Sequence, residues 1–301
     1  MIAFNTENGL VRIKSWAEIE ESRGFTSLLD PKASPLKSIL ASYAFLDRHP
    51  CGLKSCRTGH GMGYVVQTVR GEVTNIGHQC GKKHFSVTFT RMAKAHDRDL
   101  RAQEQREALV ALQHQVPGLL ARIEAMREGP NGATWIARTL MMLKDRTNGL
   151  PERVIARLNA LVRNRDGTLT VGRDATADEI TRMREQGQRI GPGPTYVDEV
   201  VGQLDGLACL YPQNDLRELL VKRSANHLQA LVGLDIVTLP DKHRKTLAKQ
   251  VLDIEPALAQ AAEAIAHGQR FLTKANIGKL AEIAHSKEDR RQVLAFASTL
   301  P

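Results

Sequence analysis

The chain has 301 residues, 42% hydrophobic, 25% charged and 4% aromatic, with 42 Lys+Arg against 33 Asp+Glu for a net charge of +9. So few aromatics argue against an all-β protein, and no apolar run approaches the roughly 18 residues of a membrane span. The first residues lack the continuous apolar core of a signal peptide, so neither a secreted nor a membrane protein is expected, and a cytoplasmic one is.

Leu10 to Ile13 alternates as a strand does. Ser15 and Glu18 have capping-box spacing and open a short helix, and a second helix is expected over 36–46, ending before Pro50. Residues 64–69 are rich in β-formers, Gly71 supplies a turn and 73–76 returns as the second strand of a hairpin. A long helix follows. In it Leu109, Leu112, Val116, Leu119, Ile123 and Met126 recur at spacings of three and four, the stripe of a buried helix or coiled-coil seam, with homodimerisation as one outcome. Pro117-Gly118 should kink or break that helix.

After the Gly129-Pro-Asn-Gly132 break, helices are expected over 133–147, 150–164, 177–189, 195–210, 214–232, 240–252, 255–269 and 275–300, the last divided near Ser286. Asn148-Gly149 supplies a C-terminal stop, and Thr176 with Glu179 and Ser286 with Asp289 supply N-terminal ones. Residues 168–171 read as part of a small hairpin and 191–194 as a connecting loop. The fold class is thus mainly α, with a small treble-clef-like zinc module and its β-hairpin near the N-terminus, a long helix, then a multi-helix C-terminal domain. The divisions are a helical segment over 1–50, a zinc-binding module over 51–95, a long-helix or coiled-coil-like connector over 86–128 and an all-helical domain over 133–301.

The chemistry gathers in the second of these. Cys51, Cys56 and Cys80 lie within thirty positions, which in a reducing compartment points to metal before disulfide. Cys51-x4-Cys56 brings two thiolates to one side of a tight knuckle, and Cys80 falls where the hairpin should hand over to the helix, whose N-terminus favours a deprotonated thiol. Zn2+ suits such a set, with His60 or His78 as the fourth ligand ahead of His84. Cys209 reads as a buried helical cysteine.

Between Cys51 and Lys94 the basic residues are Lys54, Arg57, Arg70, Lys82, Lys83, Arg91 and Lys94, against one acidic residue, Glu72. Six of the nine net charges therefore lie in 44 residues. A local excess of this kind can hold phosphates where a diffuse one would not. Phe85 and Phe89 read as core against the hairpin. No Walker loop, G-x-S-x-G elbow or H-E-x-x-H helix is present, and no residue reads as catalytic.

The segments Cys51-Gly-Leu-Lys-Ser-Cys56 and Thr74-Asn-Ile-Gly-His-Gln-Cys-Gly-Lys-Lys-His-Phe85 resemble zinc-finger-headed proteins of phages, prophages and bacterial mobile elements. The resemblance covers about residues 10–100 and implies a zinc module, not an activity; a histidine shortly after the knuckle in such proteins favours His60. The leading expectation is a non-enzymatic protein whose basic zinc module contacts DNA or RNA and whose helical body binds partners or self-associates. A second is an interaction or inhibitor factor with purely structural zinc and a protein partner. A third rests on His60, Asn75 and His84, which resemble an HNH nuclease in order and spacing, although Gly59 stands where such enzymes usually carry an acidic or second catalytic group.

Overall fold

The computed structural model describes residues 2–6, 9–13, 15–145, 147–191 and 193–301, with backbone alone over 2–6 and 9–12. It divides into two units, 1–112 with 235–248 and 113–234 with 249–301. In the first, strands β1 (Ile2–Thr6), β2 (Gly9–Ile13), β3 (Leu36–Pro50), β4 (Gly59–Thr68) and β5 (Val73–Ile76) form one antiparallel sheet in the order β2-β1-β3-β4-β5. The hairpin expected over 64–76 is its β4–β5 edge, with Tyr64 opposite Ile76 and Gln67 opposite Val73.

Alternate residues of β4 serve opposite faces, as the pleat requires. Tyr64 and Val66 join Leu29, Leu53, Ile76, Phe85, Phe89 and Ala93 on one side. Val65 joins Ile19, Ala41, Tyr43 and Val73 on the other. Helix α1 (Ala17–Glu20) contributes Ile19 to that second face, and the Ser15 amide donates to Glu18 Oε1 at its start.

The helix expected over 36–46 is instead the long strand β3. Its leucines, alanines and lysine favour helix locally, but β3 pairs with β4 from Leu36–Thr68 to Pro50–Gly59 and with β1 through Tyr43 and Ala41. Long-range pairing of a half-buried strand overrides a weak helix preference. Register shifts along β3 accommodate its length against β4.

Helix α2 (His78–Glu128) fulfils the long-helix expectation, but its break lies elsewhere than at Pro117. Ser86 adopts φ 51°, ψ −135° and divides a short first segment from the long one. Pro117 lies on the exposed side, where the carbonyl it leaves unbonded can meet solvent, and the helix continues through it. The fold at Ser86 returns Phe89 over the first turn. A Cβ on Gly81 would stand 2.3 Å from the Phe89 ring, so this crossing admits only glycine. Phe89 is fully buried, edge-on to Tyr64 with ring centroids 5.6 Å apart. Leu109, Val116 and Ile123, seven apart, are buried, while Leu112, Leu119 and Met126 of the same stripe are half-buried.

Beyond α2 come α3 (Ala133–Leu143), α4 (Glu152–Asn164), α5 (Ala177–Glu185), α6 (Asn226–Gln229), α7 (Asp241–Val251), α8 (Ile254–Phe271), α9 (Lys274–Gly278) and α10 (Lys287–Ala297). Thr176 forms a full capping box with Glu179. Ser286 accepts from the Asp289 amide and divides the last helical stretch as expected. The 133–147 helix stops at Leu143, with Arg146 outside the described residues, as is Pro192 in the 191–194 loop.

Two expectations fail in the second unit. Residues 195–210 are not a helix but strand β7 (Tyr196–Gln203) followed by a 3₁₀ turn, Leu207–Leu210. Tyr196, Val197, Val200 and Val201 are β-formers. Their partner is β6 (Thr168–Asp174), with Asp174 opposite Tyr196 and Thr168 opposite Gln203. The strand read at 168–171 is therefore present, but it pairs across α5 rather than in a local hairpin. The 214–232 stretch is helical in part, as a π-helical segment (Glu218–Ala225) that runs into α6.

Phe89→Ala removes the ring that joins the sheet to α2 and should lower stability by about 3–5 kcal/mol. Gly81→Ala, which forces the ring away, should cost about 1–3 kcal/mol. Chemical denaturation of both variants checks the ordering.

Candidate metal centre

The knuckle begins where β3 ends. The Cys51 amide donates to Thr58 O at 2.9 Å, the Cys56 amide to Leu53 O at 3.1 Å, and the Gly52 amide to Asn75 O at 2.8 Å. These bonds close the turn and lay it on β5. The approach is so close that a Cβ on Gly52 would fall 1.9 Å from Thr74 Oγ1, which explains the glycine after the first cysteine. Leu53, completely buried, plugs the knuckle into the core shared with Phe89. On the other side, Gly77 and the first turn of α2 deliver Cys80.

The three sulfurs of Cys51, Cys56 and Cys80 lie within 4.8 Å of one another, and Cys56 and Cys80 approach to 3.1 Å. A tetrahedral ion with bonds of about 2.3 Å separates its sulfur ligands by about 3.8 Å. The cluster can therefore hold a metal ion. It comprises the three thiols alone; none of His60, His78 and His84 belongs to it.

The thiols differ in acidity. Burial raises Cys51, opposed by the backbone amides of Leu53 and Gly77 that face its sulfur. Burial, then hydrogen bonding with Cys56, pushes Cys80 up to about 12. Burial is the largest influence on Cys80, although it lies in the first turn of α2. The acidic one is Cys56, brought down to about 7 first by the Thr58 hydroxyl. Three adjacent thiolates repel one another, and a bound cation removes that obstacle, since the thiolate is the metal-binding form.

The histidines occupy different settings. The His60 ring covers Gly77, where a Cβ would lie 3.0 Å from its Cδ2. Its Nδ1 shares a 2.8 Å hydrogen bond with the Tyr43 hydroxyl, while its Nε2 is buried without a hydrogen-bond partner. Burial, with the neighbouring His49 adding to it, holds His60 below the usual histidine range and favours the neutral ring. His78 is exposed at the start of α2, its ring 6.2 Å from Tyr64 and 5.9 Å from Phe89. His84 is half-buried. Asn75, buried on β5, donates to Pro50 O at 2.9 Å and faces the Tyr43 hydroxyl at 3.4 Å, so its side chain serves the knuckle. Cys209 is buried in the 3₁₀ turn, its thiol pushed up to about 12 by burial.

Lys54, Arg57, Arg70, Lys82, Lys83, Arg91 and Lys94 are all exposed. None of them forms an ion pair among the described residues. Arg57 donates to Ser27 O at 2.7 Å. Glu72, the sole acidic residue of this stretch, turns inward and accepts from Ser34 and Thr68. Sequence reasoning passes over Thr58, Tyr43 and Leu53. A hydroxyl two residues after the second knuckle cysteine is a local signal for Thr58; Tyr43 reaches the site only through the pairing of β3 with β4. Among the described residues no helix is long and apolar enough to cross a membrane.

Compared with known proteins, the chain matches no family model, no curated sequence and no solved structure.

Protein purified without chelator should carry about one metal ion per chain. Cys51→Ser, Cys56→Ser and Cys80→Ser should each lose it while Cys209→Ser keeps it, as read by elemental analysis.

Proposed function

We propose that this is a non-enzymatic zinc-binding protein whose cysteine module presents a basic surface to nucleic acid. Zinc suits three soft thiolates with one nitrogen donor, and a closed site of that kind is structural. Knuckle, hairpin and a ligand in the first turn of a helix make the arrangement treble-clef-like. The fourth ligand in this reading is His60. Burial lowers its pKa and favours the neutral ring, its Nδ1 is oriented by Tyr43 and its Nε2 has no partner, the pattern of an imidazole prepared for a metal. Closing the site requires its ring to move toward the sulfurs. His60→Ala should shift the ligand-field spectrum of the cobalt-substituted protein, whereas His78→Ala should not; the reverse result assigns His78.

The observation that carries the nucleic-acid reading is the exposure of all seven basic side chains of residues 51–94, while Glu72 is consumed internally. Unpaired surface cations release counterions when phosphates replace them, giving salt-dependent and weakly sequence-specific binding. Phe85 and Phe89 are core and offer no stacking platform for bases. In a salt titration against duplex DNA, single-stranded DNA and RNA, the Lys82→Glu/Lys83→Glu variant should bind every sequence more weakly. Its slope in log K against log salt should be shallower by about two. An unchanged slope, or affinity no greater than that of a similarly charged control protein, refutes the reading and leaves a protein partner for the helical body.

A further inference from the structure

A second basic feature lies away from the cysteines, within the first unit. Lys94, Asp97, Arg98, Arg101 and Gln105 share one face of α2, at spacings of three and four residues. Arg244 and Lys245 of α7 close a cleft of about 400 Å³ against them. That volume lies in the range of small-ligand sites. Five of the lining side chains are cationic and one is anionic.

The anionic one, Asp97, already accepts the Tyr64 hydroxyl at 2.9 Å. Arg98 pairs with Asp99 at 2.9 Å, both exposed, so that pair is weak. Lys94, Arg101 and Lys245 form no ion pair among the described residues.

Arg244 is the telling residue. Its side chain is 1% exposed, a rare state for an arginine and costly unless its nitrogens are satisfied. Nη1 donates to Asp241 at 2.7 Å and Nε to Gln105 at 3.3 Å. Nη2 makes no hydrogen bond among the described residues. Arg106, the residue after Gln105, has a buried Nε without a hydrogen-bond partner. The single carboxylate at 241, itself exposed, is a small counterweight to this concentration of guanidinium groups. A planar, almost wholly desolvated guanidinium flanked by exposed cations is the chemistry that recognises a tetrahedral oxyanion with several acceptors.

We propose that this cleft is a phosphate-binding site. Arg244 is the fixed donor at its base, and Arg101, Lys94 and Lys245 are the cations that close on the ligand. The phosphate comes either from a phosphorylated small molecule or from a nucleic-acid backbone. The site shares only Lys94 with the basic surface beside the cysteines, so it stands or falls independently of that surface.

Pyrophosphate is the probe, titrated calorimetrically into the full chain at about 0.15 M ionic strength, where the Debye length is about 8 Å. Arg101→Glu/Lys245→Glu alters only exposed side chains and should weaken binding about tenfold or more, the loss expected for one or two charge-assisted hydrogen bonds. Lys82→Glu/Lys83→Glu should leave pyrophosphate affinity within about twofold, since exposed charges at a distance are screened. If the charge reversal impairs folding, as read by thermal melts, Arg101→Gln/Lys245→Gln carries the same test with a smaller loss. Absence of pyrophosphate binding, no effect of the cleft variant, or equal losses in both double variants would overturn the site. An oligonucleotide titration of the cleft variant distinguishes the sources. Parallel loss identifies the backbone; intact oligonucleotide affinity with lost pyrophosphate affinity identifies a small phosphorylated ligand.

Discussion

Three thiols held within 4.8 Å of one another cannot all ionise without a cation among them, and the first unit is organised around bringing them to that point. Each sulfur comes from a different constraint. Cys51 is fixed by the end of β3, Cys56 by the turn closed on Leu53 and Thr58, and Cys80 by the first turn of α2. The turn reaches β5 only because Gly52 has no side chain, and the helix returns over its own first turn only because Gly81 has none. Burial then raises two of the three thiols. The fold supplies ligand geometry and withholds the charge compensation that a metal ion provides.

Most of that centre was legible in the sequence, because its signals are local. The spacing of Cys51 and Cys56, the β-formers over 64–69 and 73–76, and the position of Cys80 at a hairpin-to-helix junction each require only a short window. The heptad spacing of Leu109, Val116 and Ile123 likewise marked a buried stripe. What resisted reading depends on distant partners. Residues 36–46 carry helix-favouring side chains and become a strand only when β4 and β1 flank them. Residues 196–203 carry β-formers but no local partner, and their strand pairs with β6 across an intervening helix. The kink expected from Pro117 was a local inference of the same kind. The chain bends instead at Ser86, where seating Phe89 over Gly81 requires it.

The histidines show the limit of spacing arguments most clearly. By sequence, His60 and His78 are equally placed to join the cysteines. In three dimensions one stands exposed at a helix start beside two aromatic rings. The other is part of a chain of polar contacts running from Asn75 through the Tyr43 hydroxyl to its own Nδ1. That chain exists because β3 carries Tyr43 across from Gly63 on β4, a pairing no local pattern announces. A buried Nε2 without a partner is a cost to the fold, and a ligand bond is one way of removing it.

Positive charge in this unit takes two physically different forms, and they should not be treated as one surface. The residues near the cysteines are exposed and unpaired, so each acts through a high dielectric, is screened by salt and contributes little geometric specificity. The cleft between α2 and α7 contains a guanidinium almost wholly removed from water, where interactions are stronger and orientation matters. The first kind governs how readily a polyanion is attracted; the second governs what shape of anion is held. The net charge of +9 describes neither. Part of its excess lies in 44 consecutive residues, which a sequence displays, while the cleft is assembled from positions about 140 residues apart, which only the folded chain brings together.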